Sequence, residues 1–118
     1  MSTHIKDEIS LKELIASGRD VFVLFYAGWC GFCTAFLPVF EKNACGPDCF
    51  KVIVDDNGSI EDAYAIEYVP TVIFFRKGAI QARLDAIPGR GLSEAMLLDM
   101  MKSCGLAAAK EGGGKDSA

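Results

Sequence analysis

The sequence predicts an α/β protein in which helices cover both faces of a mixed β-sheet. Strand-like and helix-like segments alternate through the first half of the chain, as in parallel strands joined by crossover helices. The stretch VFVLFY, 21–26, is apolar at every position, which is typical of a strand buried on both faces. Later, only RKG separates two further strand-like segments, and so short a link permits only an antiparallel hairpin.

We number the predicted strands β1 to β5 along the chain, and they cover 3–8, 21–26, 50–55, 71–75 and 79–84. The first is the weakest candidate. The other four are rich in the branched and aromatic residues that favour strands. The sequence Asn57-Gly58 after β3 is typical of a turn.

Two short helices are predicted from capping signals. Ser10 followed by Glu13 forms a capping-box pattern, so we expect the first helix to begin at Ser10 and to end at Gly18. We expect Ser59 to cap another short helix that ends near Glu67.

Two longer helices are predicted from apolar stripes. Residues 32, 36, 39, 40 and 44 form one stripe, which predicts a helix over 30–44 that Pro38 should kink. The last helix follows Ser93, with Gly105 as its expected C-cap. We expect residues 1–106 to form one domain and the tail AAAKEGGGKDSA, 107–118, to be disordered.

Composition excludes several classes of partner. The net charge of -4 lacks the basic footprint that nucleic acids or anionic membranes require. The longest apolar stretch, 21–32, is too short to span a bilayer, and the N-terminus does not resemble a secretory leader. We therefore expect a monomeric cytoplasmic protein, in a compartment where thiols stay reduced.

The most informative motif is the pair Cys30 and Cys33, which follows β2 and opens the next helix. The attacking species in disulfide exchange is a thiolate, and a helix N-terminus stabilises an anion. Cys30 is therefore the expected nucleophile, and Cys33, one turn later, is the expected resolving thiol. Trp29 and Tyr26 offer flat apolar surface for a polypeptide, and Gly31 permits a close backbone approach.

Two other readings of these cysteines stay open at this point. Both could be small buried hydrophobes, or they could bind zinc together with Cys45 and Cys49. The zinc reading conflicts with the predicted helix, which would separate Cys33 from Cys45 by about 18 Å. We therefore expect no metal. Cys45 and Cys49 could also form a second disulfide, and Cys104 is expected in the core.

Several segments together resemble the thioredoxin family. WCGFC, 29–33, resembles the family's W-C-G-P-C, and Pro38 matches its helix-kinking proline. YVPTVIFF, 68–75, matches the segment that carries the family's cis-proline, here Pro70, and RKG resembles the hairpin that follows. The resemblance covers residues 3–105.

This resemblance implies a thioredoxin fold, with a five-stranded sheet in the order β1-β3-β2-β4-β5 and four flanking helices. It implies a cis Val69-Pro70 bond that faces the cysteines, with the Val69 backbone holding an extended substrate segment. Trp29, Gly31 and Phe32 complete the expected substrate-binding surface. It also implies disulfide-containing protein substrates, a thioredoxin-reductase-like electron donor and no cofactor beyond the redox-active cysteines.

Two positions depart from the family pattern. The family's buried acid, which can take the proton of the resolving thiol, is replaced by Leu24, so we expect slower resolution. Lys51 matches the family's buried lysine and could support proton transfer. Phe32 replaces proline, and its restored N–H is expected to point at the Cys30 sulfur and to raise the reduction potential.

The favoured function is a protein thiol–disulfide oxidoreductase that works through a mixed-disulfide intermediate. Such an enzyme carries electrons that maintain the cell's redox balance. The alternative is a thioredoxin-fold binding module, in which the cysteine pair is only an oxidative switch with little turnover.

Overall fold

The computed structural model describes residues 2–43, 48–54 and 58–104, which form five strands and four helices. In chain order these are β1 Thr3–Ile5, α1 Glu8–Ala16, β2 Val21–Tyr26, α2 Gly31–Asn43, β3 Cys49–Ile53, α3 Gly58–Ala63, β4 Thr71–Arg76, β5 Ala79–Asp85 and α4 Glu94–Ser103. The predicted alternation of elements is confirmed. The predicted tail, the Gly105 cap and Cys45 lie outside the described residues.

The sheet has the order β1-β3-β2-β4-β5, as the family resemblance implied. β1 and β2 both pair in parallel with β3, whereas β2 with β4 and β4 with β5 pair antiparallel. β2 is therefore the central strand. Helices pack on both of its faces, which explains why each of its six positions is apolar.

Two apolar clusters lie on opposite faces of the sheet. On one face, Val23 and Phe25 pack with Leu11 of α1 and Ile60 of α3. On the other, Leu24 packs among residues of α2 and α4, including Phe36, Phe40, Leu97 and Met101. Successive residues of a strand point to opposite faces, so β2 alone contributes to both clusters.

The starts of two helices differ from prediction. α1 begins at Glu8 because the side chain of Asp7 caps it, accepting a hydrogen bond from the Ser10 N–H at 2.9 Å. Ser10 therefore lies inside the first turn, and the capping box was read three residues too late. α3 already includes Ser59, whose hydroxyl donates to Glu8 instead of capping the helix.

The ends of other elements match their sequence signals. Gly18 follows α1 with a φ of +81°, as a C-terminal glycine should. The hairpin between β4 and β5 turns at Lys77 and Gly78, both with positive φ, the conformation of a tight hairpin turn. Ser93 caps α4 by accepting from the Met96 N–H at 3.3 Å. None of the helices in the described ranges has the length and hydrophobicity of a membrane-spanning segment.

Candidate active site

Cys30 lies immediately before α2, between the carboxyl end of β2 and the start of the helix. Its carbonyl accepts the Thr34 N–H at 3.1 Å, and its sulfur accepts the Cys33 N–H at 3.3 Å. Cys30 is thus the N-cap residue of α2, with Sγ in the position of a capping oxygen. The first turn of α2 carries no acidic residue, so the partial positive charge of the helix end is not opposed locally. The Cys30 sulfur therefore meets a helix amide at the positive end of the helix dipole.

The donor to the Cys30 sulfur differs from the one expected. Sequence comparison with the proline-containing motif pointed to the Phe32 N–H, whereas the hydrogen bond comes from Cys33, the third helical residue. A capping side chain accepts from the second or third helical amide, and here the third has the suitable geometry. Since proline at position 32 would leave the Cys33 N–H in place, this bond does not distinguish the two motifs.

Cys33 lies deeper than Cys30. Its side chain is 2% exposed against 7% for Cys30, and its sulfur accepts the Ala27 N–H at 3.4 Å. Both residues are thiols. The outer thiol therefore lies at the surface edge of the core and the inner one within it, which suits attack by the first and resolution by the second.

The loop before β4 approaches Cys30 from the opposite side. The Val69-Pro70 bond is cis, as the family resemblance implied. The Cys30 thiol lies 3.6 Å from the Val69 carbonyl oxygen and donates to it. Residues distant in sequence, Cys30 and Val69, are thus brought into contact by the fold.

Four large apolar residues next to Cys30 or to its contacts are exposed, and we define them as the apolar rim. Trp29 and Phe32 neighbour Cys30 in sequence, Tyr68 precedes Val69, and the bridge partner of Ile87, Gly91, lies against the Phe32 ring. Trp29 is 73% exposed and Phe32 is 44% exposed, and the other two are also exposed. Large exposed hydrophobic side chains in one neighbourhood indicate an interaction surface. Tyr68 and Ile87 were not predicted as site residues, although Tyr68 directly precedes the Val69-Pro70 pair.

Gly91 packs against the Phe32 ring, and it was not among the residues predicted from the sequence. Gly91 has a φ of +74°, and a Cβ there would lie only 2.9 Å from the Phe32 ring. Gly91 also forms an isolated β-bridge with Ile87, which closes the loop between β5 and α4. The loop and the aromatic ring therefore fit together only with glycine at this position. The space beside Gly31, in contrast, is open.

Leu24 and Lys51 lie opposite each other in the parallel pair β2 and β3. Leu24 is 1% exposed, so an apolar side chain occupies the place of the family's buried acid. The Lys51 ammonium instead pairs with Glu41 of α2, whose carboxylate also accepts from the Ser2 amide at 2.6 Å and the Ser2 hydroxyl at 2.7 Å. Glu41 lies eight residues after Cys33 on α2, about 12 Å along the helix axis.

The Glu41 cluster predicts a pH-dependent contribution to stability. Burial alone raises the pKa of Glu41, but the hydrogen bonds from Lys51 and Ser2 outweigh it, so the pKa is lowered from 4.5. A depressed pKa contributes stability that is complete above the ordinary pKa and is lost as the pH falls through the folded-state value. We expect Glu41→Gln to lower the free energy of unfolding by about 1–2 kcal/mol at pH 7.

Urea denaturation of both proteins from pH 7 down to pH 3 checks this expectation. The difference between wild type and Glu41→Gln should shrink steadily below pH 4.5, the ordinary value. The exposed Glu67 offers a matched control, and Glu67→Gln should leave the free energy of unfolding unchanged at both ends of this pH range. A difference that stays constant with pH would contradict the assignment to the Glu41 carboxylate.

Within the described residues, no group of three or more His, Cys, Asp or Glu side chains is arranged to hold a metal ion. The zinc arrangement considered from the sequence requires Cys45, which lies outside those residues. α2 runs continuously from Gly31 to Asn43, and Cys33 lies in its first turn.

Comparisons with known proteins agree with this geometry. The family model described as Thioredoxin matches residues 2–102. A thioredoxin from Mycoplasmoides gallisepticum is 37% identical over 97 residues, which span 79% of this chain and 97% of that protein. A protein disulfide-isomerase from Drosophila melanogaster is 36% identical over 77 residues, 59% of this chain and 16% of that protein. The crystal structure of reduced Schistosoma mansoni thioredoxin pre-protein superposes with a TM-score of 0.73 at 28% identity, covering 86% of this chain and 95% of that one.

Proposed function

This chain belongs to the thioredoxin family and is a thiol–disulfide oxidoreductase, and we propose that Cys30 and Cys33 carry out its reaction. The observation that carries this proposal is the position of the Cys30 sulfur. It accepts the Cys33 N–H at the N-terminus of α2, and it lies beside the Val69 carbonyl within the apolar rim. One sulfur thus has both an environment that favours the thiolate and a surface that can receive a polypeptide.

The proposed reaction has two exchange steps. The Cys30 thiolate attacks one sulfur of a substrate disulfide, an S–S bond forms between them, and the other substrate sulfur leaves as a thiolate. Cys33 then attacks the Cys30 sulfur, the substrate's second sulfur leaves, and a Cys30–Cys33 disulfide remains. The substrate gains two electrons and the enzyme loses two. A dithiol donor of the thioredoxin-reductase kind reduces the enzyme disulfide and completes the cycle.

Substrate recognition uses the apolar rim and the loop that contains Val69. Trp29, Gly31 and Phe32 flank the nucleophile, and the open space beside Gly31 admits the substrate chain. An extended substrate segment would pair with the Val69 backbone, as a strand adds to an edge. When the segment binds, the Cys30 thiol releases the Val69 carbonyl, gives its proton to solvent water and becomes the attacking thiolate.

Proton transfer must proceed without a buried acid, because Leu24 occupies that place. Lys51 is paired with Glu41, so any support it gives to Cys33 is electrostatic and indirect. We propose that the Cys33 thiol gives its proton to water or to the departing substrate thiolate. Resolution by Cys33 is then the slow exchange step. We further propose that the protein acts as a monomer in the cytoplasm, where a donor can keep the pair reduced.

Trapping the mixed disulfide tests this proposal. In Cys33→Ser the second step cannot occur, so incubation with insulin should accumulate a covalent complex, whereas wild type should release reduced insulin. Peptide mass spectrometry should place the link at Cys30. The control Cys49→Ser removes a buried cysteine of β3 and should turn over like wild type. A link at another cysteine, or no complex with Cys33→Ser, would refute the assigned roles.

A further inference from the structure

The segment that leads to Val69 begins with an unfavourable backbone conformation. Ala65, just after α3, has a φ of +53°, a region that a residue with a Cβ rarely adopts. The Ile66 N–H donates to the Glu61 carbonyl at 2.8 Å, which closes the end of the helix around this residue. Glycine usually occupies such a position, so the turn requires support from elsewhere in the fold.

Arg83 of β5 supplies contacts at this turn. Its two terminal nitrogens donate to the carbonyls of Tyr64 and Ala65, each at 2.7 Å. These carbonyls lie at the C-terminal end of α3, where a cation is favourable. The Arg83 side chain is only 25% exposed, so water competes weakly for these hydrogen bonds.

A second set of contacts holds the other end of the segment. The Arg83 Nε donates to both carboxylate oxygens of Asp85, at 3.0 and 2.9 Å. The buried Thr71 hydroxyl lies 3.3 Å from that carboxylate and 2.7 Å from the Tyr68 carbonyl oxygen, to which it donates at the shorter distance. The segment is thereby tied to β5 at Tyr64 and Ala65 by the guanidinium, and at Thr71 by its pairing with Asp85 in the ladder of β4 and β5.

We propose that Arg83 is a positioning residue that holds the 64–71 segment, and with it the Val69 backbone, in register with the Cys30 sulfur. Arginine suits this role because its rigid planar fork spreads donors over three nitrogens that reach two carbonyls and a carboxylate, whereas an ammonium concentrates its donors on one nitrogen. The inference rests on the proposed function where it concerns substrate binding. Arg83 does not touch the sulfurs, so its effect is on the binding of an extended polypeptide and not on the reactivity of Cys30.

The test compares Arg83→Gln with Arg76→Gln. Arg76 also lies in the hairpin and also pairs with an aspartate, Asp20, but it makes no described contact with the 64–71 segment. In Arg83→Gln, amide hydrogen exchange across 64–70 should become faster, while exchange in β2 and β3 should stay as in wild type. Arg76→Gln should change neither region. Arg83→Lys, which keeps the charge, should give an intermediate result and covers the case in which glutamine prevents folding.

Kinetics then separate positioning from general damage. We expect Arg83→Gln to raise the KM for insulin reduction about fivefold to tenfold with little change in kcat. Alkylation of Cys30 by iodoacetamide should stay within about twofold of wild type, because the helix N-terminus that stabilises its thiolate is untouched. If wild type did not reduce insulin, the proposed function would fail, and the exchange result would still decide whether Arg83 holds the segment. Unchanged exchange at 64–70, or faster exchange with an unchanged KM, would overturn the inference.

Discussion

Cys30→Ser is expected to reduce the rate of insulin-disulfide reduction to the uncatalysed background, a loss of at least about a thousandfold. A serine hydroxyl can cap α2 as the sulfur does, so the helix should form normally. It cannot ionise at neutral pH, however, and the attacking thiolate is lost. The substitution therefore removes the chemistry while it preserves the local hydrogen bonds.

Turnover with dithiothreitol as donor measures this loss, and Cys104→Ser serves as the control. Cys104 follows α4 and packs against the apolar cluster on the far side of the sheet, so its replacement should leave turnover unchanged. Circular dichroism and urea denaturation should show Cys30→Ser folded. Substantial residual reduction by Cys30→Ser would show that another cysteine is the nucleophile.

Leu24→Asp is expected to lower the free energy of unfolding by about 3 kcal/mol or more. Leu24 is enclosed by apolar side chains, and the nearby Lys51 ammonium is already paired with Glu41. The new carboxyl group would therefore lie in an apolar environment with little compensation. Leu24→Asn should be destabilised to a similar degree, because its amide has the same size and the same lack of partners.

The same pair of variants tests what the missing acid does for the reaction. Leu24→Asp restores a group that can accept the Cys33 proton, so release of product from the mixed disulfide should be about tenfold faster than in Leu24→Asn. Stopped-flow measurement of that step in both proteins provides the comparison. Because both variants should be destabilised to a similar degree, the ratio of their rates reports the effect of the carboxylate. Equal rates would show that a carboxylate at this place does not serve Cys33 in this fold.

Much of this architecture could be predicted because its signals are local. The continuous apolar run of β2 and the stripe of α2 indicate their own secondary structure. The start of α1 is not determined by its local signals: Asp7 and Ser10 are both good N-cap residues only three positions apart, and Asp7 caps the helix. The family resemblance added the strand order and the cis Val69-Pro70 bond, which spacing alone does not reveal.

Some residues around the cysteines could be predicted and others could not, because only some of them belong to a local motif. Trp29, Phe32 and Val69 belong to recognisable motifs. Gly91 has no such signal, because its importance arises from the Phe32 ring that packs against it. Lys51 was recognised by its place in the pattern, yet its partner Glu41 could not be inferred, since the two residues meet only when α2 packs on the sheet.

Local sequence patterns are sufficient to establish the class of fold, the place of Cys30 and Cys33 at the junction of β2 and α2, and the apolar character of Leu24. Each depends on neighbours within a few residues. Two contacts arise only when the chain is folded: the Cys30 sulfur with Val69, thirty-nine residues away, and Arg83 with the turn at Ala65. Such contacts join elements that are distant in the chain. Their formation depends on strand register and on helix packing, and the spacing of residues in a sequence does not encode either one locally.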